Sequence, residues 1–115
     1  MRKKITFDTQ FLVSTNDIFL TIVIGNPNPG SSIVRLGEDV IIEGIVKNFK
    51  IGNGRSLKGK KLIILTTVQD FLINSNLTSV TFVLDDGVTT KKYFLDGTVD
   101  VDKDKIDYKI NIDLK

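Results

Sequence analysis

The C-terminal stretch KIDYKINIDLK, residues 105–115, alternates apolar and polar side chains without interruption. One set comprises Ile106, Tyr108, Ile110, Ile112 and Leu114, and the other comprises Asp107, Lys109, Asn111, Asp113 and Lys115. Because successive side chains of a β-strand point to opposite faces, this period of two predicts a strand. The chain is therefore expected to end in a strand with one buried face and one solvated face.

Strand patterns recur upstream of this stretch. The segment SVTFVLDDGVTTKKYFLDG, residues 79–97, predicts a hairpin in which Asp86-Gly87 forms a tight type I′ turn. Further strands are expected near residues 4–13, 17–25, 33–36, 39–49 and 60–67. Twelve Asp against two Glu make a composition poor in good helix formers, and one helical turn over Val68 to Leu72 is the most that the pattern allows.

These elements predict an all-β domain that spans residues 1–115. About eight or nine short strands, with no amphipathic helix of ten or more residues to cross over, favour a two-sheet antiparallel β-sandwich. A length of 115 residues suits one domain that folds alone, and 41% apolar with 26% charged residues is a globular balance.

The segment LGEDVIIEGIVKN, residues 36–48, resembles an early strand of the immunoglobulin-like modules of bacterial proteins. The resemblance implies an immunoglobulin-like sandwich. The same segment followed by KGKKLIILTTVQD, residues 58–70, is similar to the first two strands of oligonucleotide-binding β-barrels, and this barrel is the alternative fold. That fold usually carries a helix between its third and fourth strands, where this chain has only the Asp85-Asp86-Gly87 turn.

The absence of histidine and cysteine excludes several kinds of chemistry. Without these residues the chain lacks Ser-His-Asp and Cys-His machinery, histidine acid–base catalysis, and thiolate or imidazole zinc sites. The acids occur mostly in predicted turns, with no sign of the cleft that a glycosidase carboxylate pair requires. We therefore expect a protein that is not an enzyme and has no cofactor or metal.

An acidic region suggests a calcium-dependent binding module as a third possible function. It contains Asp96, the DVDKD run of residues 100–104 and Asp107, with Asp85 or Asp86 as further ligands from a neighbouring loop. A helix-loop-helix calcium loop that began at Asp100 would need glycine at position 105 and glutamate at position 111, where this chain has Lys105 and Asn111. The sequence therefore does not fit that type of calcium loop. The alternation also places Asp100 and Asp102 on a solvated strand face, so solvation alone explains them.

The stretch GRSLKGKK, residues 54–61, approximates the phosphate-loop pattern G-x-x-x-x-G-K. Lys61 stands where the magnesium ligand would be, and the following KLIILTTV predicts a strand instead of a helix, so we reject a nucleotide-binding loop. The wider run KNFKIGNGRSLKGKK, residues 47–61, has no acid. Its cations are Lys47, Lys50, Arg55, Lys58, Lys60 and Lys61.

These cations give the alternative function, which is binding of a polyanion or single-stranded nucleic acid. Phe49 is the sole aromatic residue in the run, whereas binders of single strands usually stack several bases on aromatic side chains. A lysine-rich loop that protects strand edges and keeps the domain soluble is the competing interpretation.

The run IFLTIVI, residues 18–24, carries the leading functional prediction. Ile18, Leu20, Ile22 and Ile24 share one face of the predicted strand, yet the opposite face, with Phe19, Thr21 and Val23, is also largely apolar. Residues 40–42 and 62–65 repeat the pattern. We predict that the outer face around Phe19, Thr21 and Val23 docks onto a protein partner or a second copy in a larger assembly. Cover from within the fold is the competing interpretation.

The remaining features leave partner and compartment open. No apolar segment is long enough to span a bilayer. Met1 fits a cytoplasmic start or a start after a removed leader of an exported or particle-associated protein. Residues 1–61 hold ten basic and five acidic side chains, and residues 62–115 hold six and nine, an asymmetry compatible with head-to-tail association. Candidate assemblies are a bacterial surface or secretion apparatus and a phage particle.

Overall fold

The computed structural model describes residues 3–25, 28–70, 77–99 and 104–115. Within these ranges it contains nine strands and one four-residue helix. Their bounds are β1 Lys3–Phe11, β2 Asp17–Ile24, β3 Gly30–Leu36, β4 Asp39–Gly44, β5 Phe49–Asn53, α1 Gly54–Leu57, β6 Lys61–Gln69, β7 Leu77–Asp85, β8 Thr90–Thr98 and β9 Lys105–Leu114.

The strands form two sheets. Sheet 1 has the order β1-β9-β6-β3-β4, and sheet 2 has the order β5-β2-β7-β8. Neighbouring strands are antiparallel, apart from β1, which runs parallel to β9. The predicted two-sheet sandwich is confirmed. The alternative oligonucleotide-binding barrel is wrong, because the strands divide between two stacked sheets and do not close into one barrel.

The connectivity bears on the immunoglobulin-like prediction. In immunoglobulin domains the last two strands, F and G, lie side by side in the C-F-G sheet and follow each other in sequence. Here β6 and β9 lie side by side in sheet 1, but the β7–β8 pair of sheet 2 separates them in sequence. The two-sheet sandwich is thus present, whereas the immunoglobulin-like order of strands stays a prediction, from which the position of the β7–β8 pair departs.

The core consists of the inward side-chain stripes of the two sheets. The predicted alternation of β9 is confirmed, since its apolar stripe from Ile106 to Leu114 is buried while Asp107, Lys109 and Asn111 are half-buried and Asp113 is exposed. Opposite it, sheet 2 buries a stripe from β2 and one from β7. These residues are Ile18, Leu20, Ile22, Val80, Phe82 and Leu84. Each such side chain removed from water contributes about 1.5 to 3 kcal/mol of transfer free energy.

A buried polar contact links the two sheets. The hydroxyl of Tyr108 in β9 is hydrogen-bonded to the hydroxyl of Thr78 in β7, and the Thr78 hydroxyl lies 3.1 Å from the carbonyl oxygen of Gly97 in β8. Burial raises the pKa of Tyr108. A Cβ atom on Gly97 would stand 2.5 Å from Cδ1 of Ile5 and 2.8 Å from Cδ1 of Ile106, so a larger residue would require the ends of these side chains to shift. The hydrogen bond between Tyr108 and Thr78 fixes the position of β9 relative to sheet 2.

The two open edges on one side of the sandwich are joined by side chains. Lys3 of β1 donates to the carbonyl oxygen of Thr98 in β8 at 2.7 Å, and the hydroxyl of Tyr93 donates to the carbonyl oxygen of Gln10 at 3.1 Å. The rings of Phe7 and Tyr93 have centroids 6.4 Å apart. Edge strands usually need protection from pairing with other chains, and here β1 and β8 protect each other.

Several local predictions need correction. The hairpin of β7 and β8 is present, but its last pair is Asp85 with Thr90, so residues 86–89 form a longer loop than the predicted type I′ turn. Val68 and Gln69 belong to β6, so the predicted helical turn does not begin at Val68, and residues 71–72 lie outside the described residues. The expected strand over residues 39–49 ends as β4 at Gly44; residues 45–48 are not in a strand, and β5 begins at Phe49 in the other sheet.

The two faces of β2 should differ in their contribution to stability. Ile22 is buried among the core side chains, whereas Val23 is 53% exposed. Ile22→Ala should therefore lower the free energy of unfolding by about 2 to 5 kcal/mol, the range for a large aliphatic side chain truncated in a packed core. Val23→Thr, the matched control, should change it by no more than about 0.5 kcal/mol. Urea denaturation of both variants gives these values, and equal losses would contradict the assignment of faces.

Candidate functional site

The outer face of sheet 2 carries exposed apolar side chains on β2 and β8, the two strands that flank β7. Val23 of β2 pairs with Thr81 of β7, and Thr81 pairs with Phe94 of β8, so the three lie in one row across the sheet. Val23 and Phe94 are 53% and 63% exposed. We define the sheet-2 apolar face as Phe19, Val23, Val83 and Phe94.

Polar groups surround the rest of this face. Phe19, which is half-buried, lies between Lys50 of β5 and Asp85 of β7 in the register, and Val83, also half-buried, pairs with Lys92 of β8. Lys50 forms an ion pair with Asp17 at 3.2 Å. The Asn53 side-chain hydrogen bond, followed by that of Lys50, holds the pKa of Asp17 below its ordinary value. An apolar centre with a charged margin is the composition typical of protein interfaces.

Thr21 has a structural role within the predicted interface. It lies on the same outer face as Phe19 and Val23, and its hydroxyl accepts a hydrogen bond from the backbone N–H of Asn48 at 2.8 Å. Asn48 has φ +50°, a left-handed conformation that asparagine tolerates better than most residues. Thr21 therefore holds the turn between β4 and β5 in place beside the sheet-2 apolar face.

Sequence reasoning missed Phe94 and Val83 because their place on this face depends on strand register. β7 pairs with β2 on one side and with β8 on the other, and both pairings are needed to align Phe94 with Val23. One available signal was the alternation in residues 92–96, where Phe94 falls between the inward Tyr93 and Leu95. Because side chains alternate along a strand, Phe94 is expected on an outer face. The alternation does not reveal which strands lie beside β8.

The six cations of the basic run are all exposed, but they do not share one surface. Lys50 lies on the outer face of sheet 2, and Lys61 lies on the outer face of sheet 1, where it pairs with Asp113 at 3.8 Å. Lys47 precedes β5, Arg55 belongs to α1, and Lys58 and Lys60 lie between α1 and β6. The structure therefore brings Arg55, Lys58 and Lys60 to the same connection and separates Lys50 from Lys61.

The glycines of this connection have packing and turn functions. Gly54 is buried, its N–H donates to the carbonyl oxygen of Asn16 at 2.9 Å, and an added Cβ would lie 1.8 Å from the carbonyl oxygen of Ser14. Gly59 has φ +89°, which most residues with a side chain avoid. The strand predicted after Lys60 is present as β6, so no helix begins there as a phosphate loop requires.

The two acids of the β7–β8 loop stabilise that loop. The carboxylate of Asp86 accepts from the N–H groups of Thr89 and Val88 at 2.7 and 2.9 Å, and that of Asp85 accepts from Gly87 at 2.8 Å. The hydrogen bond from Thr89 contributes most to holding the pKa of Asp86 below its ordinary value, and burial opposes it. Both side chains are therefore engaged as turn acceptors.

The calcium hypothesis involves residues on both sides of a gap in the described chain. Asp100 and Asp102 lie outside the described residues. Among the residues that are described, no three acids come together in a way that could hold a metal ion. The carboxylate of Asp107 accepts from the hydroxyl of Thr67 at 2.6 Å.

Comparison with known proteins adds no family to these observations. The chain matches no protein-family model, no curated protein and no solved structure. Within the described ranges, no helix has the length and apolar character needed to cross a membrane.

The loop acid Asp86 should make stability depend on pH. Its pKa is lower in the folded chain than in the unfolded one, so its contribution is complete above the unfolded value of about 3.9 and disappears as the pH falls through the folded value. Asp86→Asn should lower the free energy of unfolding at pH 7 by about 1 to 2 kcal/mol, because a charge-assisted hydrogen bond becomes a neutral one.

Urea denaturation at a series of pH values from 7 down to 2 tests this prediction. The difference between the wild type and Asp86→Asn should shrink as the pH falls below about 4. Asp39→Asn, which changes an exposed acid at the start of β4, is the matched control. A difference that stays constant over the whole pH range would contradict the role given to the Asp86 charge.

Proposed function

We propose that this domain is a non-enzymatic binding or structural module that docks a protein partner through the sheet-2 apolar face. The observation that carries the proposal is the row of Val23, Thr81 and Phe94, in which two large apolar side chains stand exposed on either side of Thr81. The partner is either another protein of a larger assembly or a second copy of the chain. A bacterial surface or secretion apparatus and a phage particle are the assemblies we consider.

The two faces of sheet 2 have different roles, which supports this proposal. The inward residues of β2 and β7 complete the core, so the outward Val23 and Phe94 are not needed to fill it. Aromatic side chains are enriched among the residues that supply most of the binding energy at protein interfaces. Phe94 therefore provides an anchor, and the half-buried Phe19 and Val83 extend the apolar surface from which a partner can exclude water.

The charged margin supports a protein partner over a lipid surface. Lys92, Asp85 and the Lys50–Asp17 pair place charges of both signs around the apolar residues. Mixed charges at the rim of an interface favour one orientation and disfavour wrong partners. A protein with its own arrangement of charges can match such a rim.

Replacing the exposed aromatic residue should separate binding from folding. Phe94→Ser should change the free energy of unfolding by no more than about 1 kcal/mol because the ring is 63% exposed. It should weaken docking at least about tenfold, as expected when an interface anchor is truncated. Docking is measured as self-association by sedimentation equilibrium and as capture of the native partner by the immobilised domain.

The matched control is Val88→Ser, which removes an even more exposed apolar side chain, 82% exposed, from the loop between β7 and β8, outside the sheet-2 apolar face. Docking that survives Val88→Ser and is lost in Phe94→Ser supports the proposal. A wild-type chain that stays monomeric and whose captured partner is retained by Phe94→Ser would show that the face is not an interface.

Polyanion binding through residues 47–61 is the second candidate function. It is favoured by Arg55, Lys58 and Lys60, which are exposed at one connection and form no ion pair with any acid in the described chain. Cations that have no protein partner are available to phosphates, and neutralising phosphates releases counterions.

Substitution of these cations should reveal whether the connection binds polyanions. If it does, the variant with Arg55→Gln, Lys58→Gln and Lys60→Gln should bind single-stranded DNA more weakly, and its affinity should depend less on salt, because fewer counterions are released. Fluorescence anisotropy at several salt concentrations gives both quantities. Unchanged affinity and an unchanged salt dependence would remove this candidate.

A further inference from the structure

The outer face of sheet 1 contains a depression with an apolar floor. Its volume is about 190 Å³, and its lining residues are Lys4, Ile33, Arg35, Ile63, Leu65 and Lys109. In the register of the sheet, Leu65 lies between Ile33 and Lys109, and Ile63 pairs with Arg35. Three aliphatic side chains from the two neighbouring strands β3 and β6 therefore form the floor, and three cations surround it.

The cations at the margin are available to a ligand. Lys4 and Arg35 are exposed, Lys109 is half-buried, and none of the three forms an ion pair with an acid of the described chain. Acids do lie nearby outside the lining, since Glu43 pairs with Ile33 in the register and Asp107 pairs with Lys4. Among the described residues, the lining itself contains no acid, so its charge favours an anionic ligand.

The size of the depression distinguishes a small organic anion from an anionic protein segment as its ligand. Pockets that hold small organic ligands usually have about 300 to 1,000 Å³ and enclose most of the ligand. This depression is smaller and lies on an open sheet face, which suits one large apolar side chain presented by another chain. Interface anchors typically fill pockets of this kind, with charges arranged around them.

We propose that this depression is a second docking site, which binds a protein segment with one large apolar side chain flanked by carboxylates. The apolar side chain contacts Ile33, Ile63 and Leu65, and the carboxylates pair with Arg35, Lys4 and Lys109. The site is separate from the sheet-2 apolar face, because the two surfaces lie on opposite outer sides of the sandwich. A module with both sites joins two neighbours in an assembly.

A titration followed by ¹H–¹⁵N NMR tests the proposal with the full chain. The probe is a synthetic peptide with blocked ends and one phenylalanine that has two glutamates on each side. We expect it to shift the amide signals of Ile33, Ile63 and Leu65 and to bind more weakly as salt is raised. A peptide with alanine in place of phenylalanine should not bind measurably.

Variants of exposed cations locate the charge contact. Arg35→Gln and Lys109→Gln should each weaken the peptide about two- to fivefold, as expected for ion pairs near solvent. Lys58→Gln, which removes a cation from the connection before β6, is the matched control and should leave the affinity unchanged.

Three results would overturn the proposal. The first is a titration without shifts at Ile33, Ile63 and Leu65. The second is equal weakening by Lys58→Gln, which would indicate general attraction of anions. The third is phenylacetate binding as tightly as the peptide, which would assign the depression to a small organic anion. Phe94→Ser should not change any of these titrations, so failure here is distinct from failure of docking at the sheet-2 apolar face.

Discussion

The structure depends on the burial of the β9 stripe between the two sheets. β9 lies between β1 and β6 in sheet 1. Its register with β1 begins at the pair Lys3–Ile106, and its register with β6 begins at the pair Lys61–Asp113. A shift of one residue in either pairing would turn Tyr108 and its apolar neighbours towards solvent. The contact of the Tyr108 hydroxyl with Thr78 adds a positional constraint, because a buried polar group that loses its partner costs about 1 to 3 kcal/mol.

This constraint leaves two outer faces with apolar side chains that the core does not use. On sheet 2 these are centred on Val23 and Phe94, and on sheet 1 they are the floor formed by Ile33, Ile63 and Leu65. The edges between the sheets are occupied on one side by the contacts of Lys3 and Tyr93 between β1 and β8. On that side of the sandwich the surfaces open to partners are therefore sheet faces, and the two faces differ in charge at their margins.

The sequence predicted those parts of the fold that depend on local periodicity. The alternation of residues 106–114 and the inward side of β2 follow from a period of two, and the sandwich follows from many strands without a crossover helix. Strand order and sheet membership depend on contacts between residues far apart in the chain. For that reason the break in the strand after Gly44, with β4 and β5 in different sheets, and the placement of Phe94 in one row with Val23 could not be derived. The Asp-Gly pair alone predicts a two-residue turn after Asp85. The structure has a four-residue loop instead, which the Asp86 carboxylate stabilises by accepting hydrogen bonds from the N–H groups of Val88 and Thr89.

We propose that the exposed apolar residues of the outer faces serve binding, and if so they are dispensable for folding. This is tested by the free energy of unfolding of a double variant that carries Val23→Thr and Phe94→Thr. These residues are 53% and 63% exposed, and threonine is β-branched, a shape that strands favour. We expect a urea unfolding free energy within about 1.5 kcal/mol of the wild type, with an unchanged denaturant dependence. A loss of more than about 3 kcal/mol would show instead that these side chains are part of the structural core.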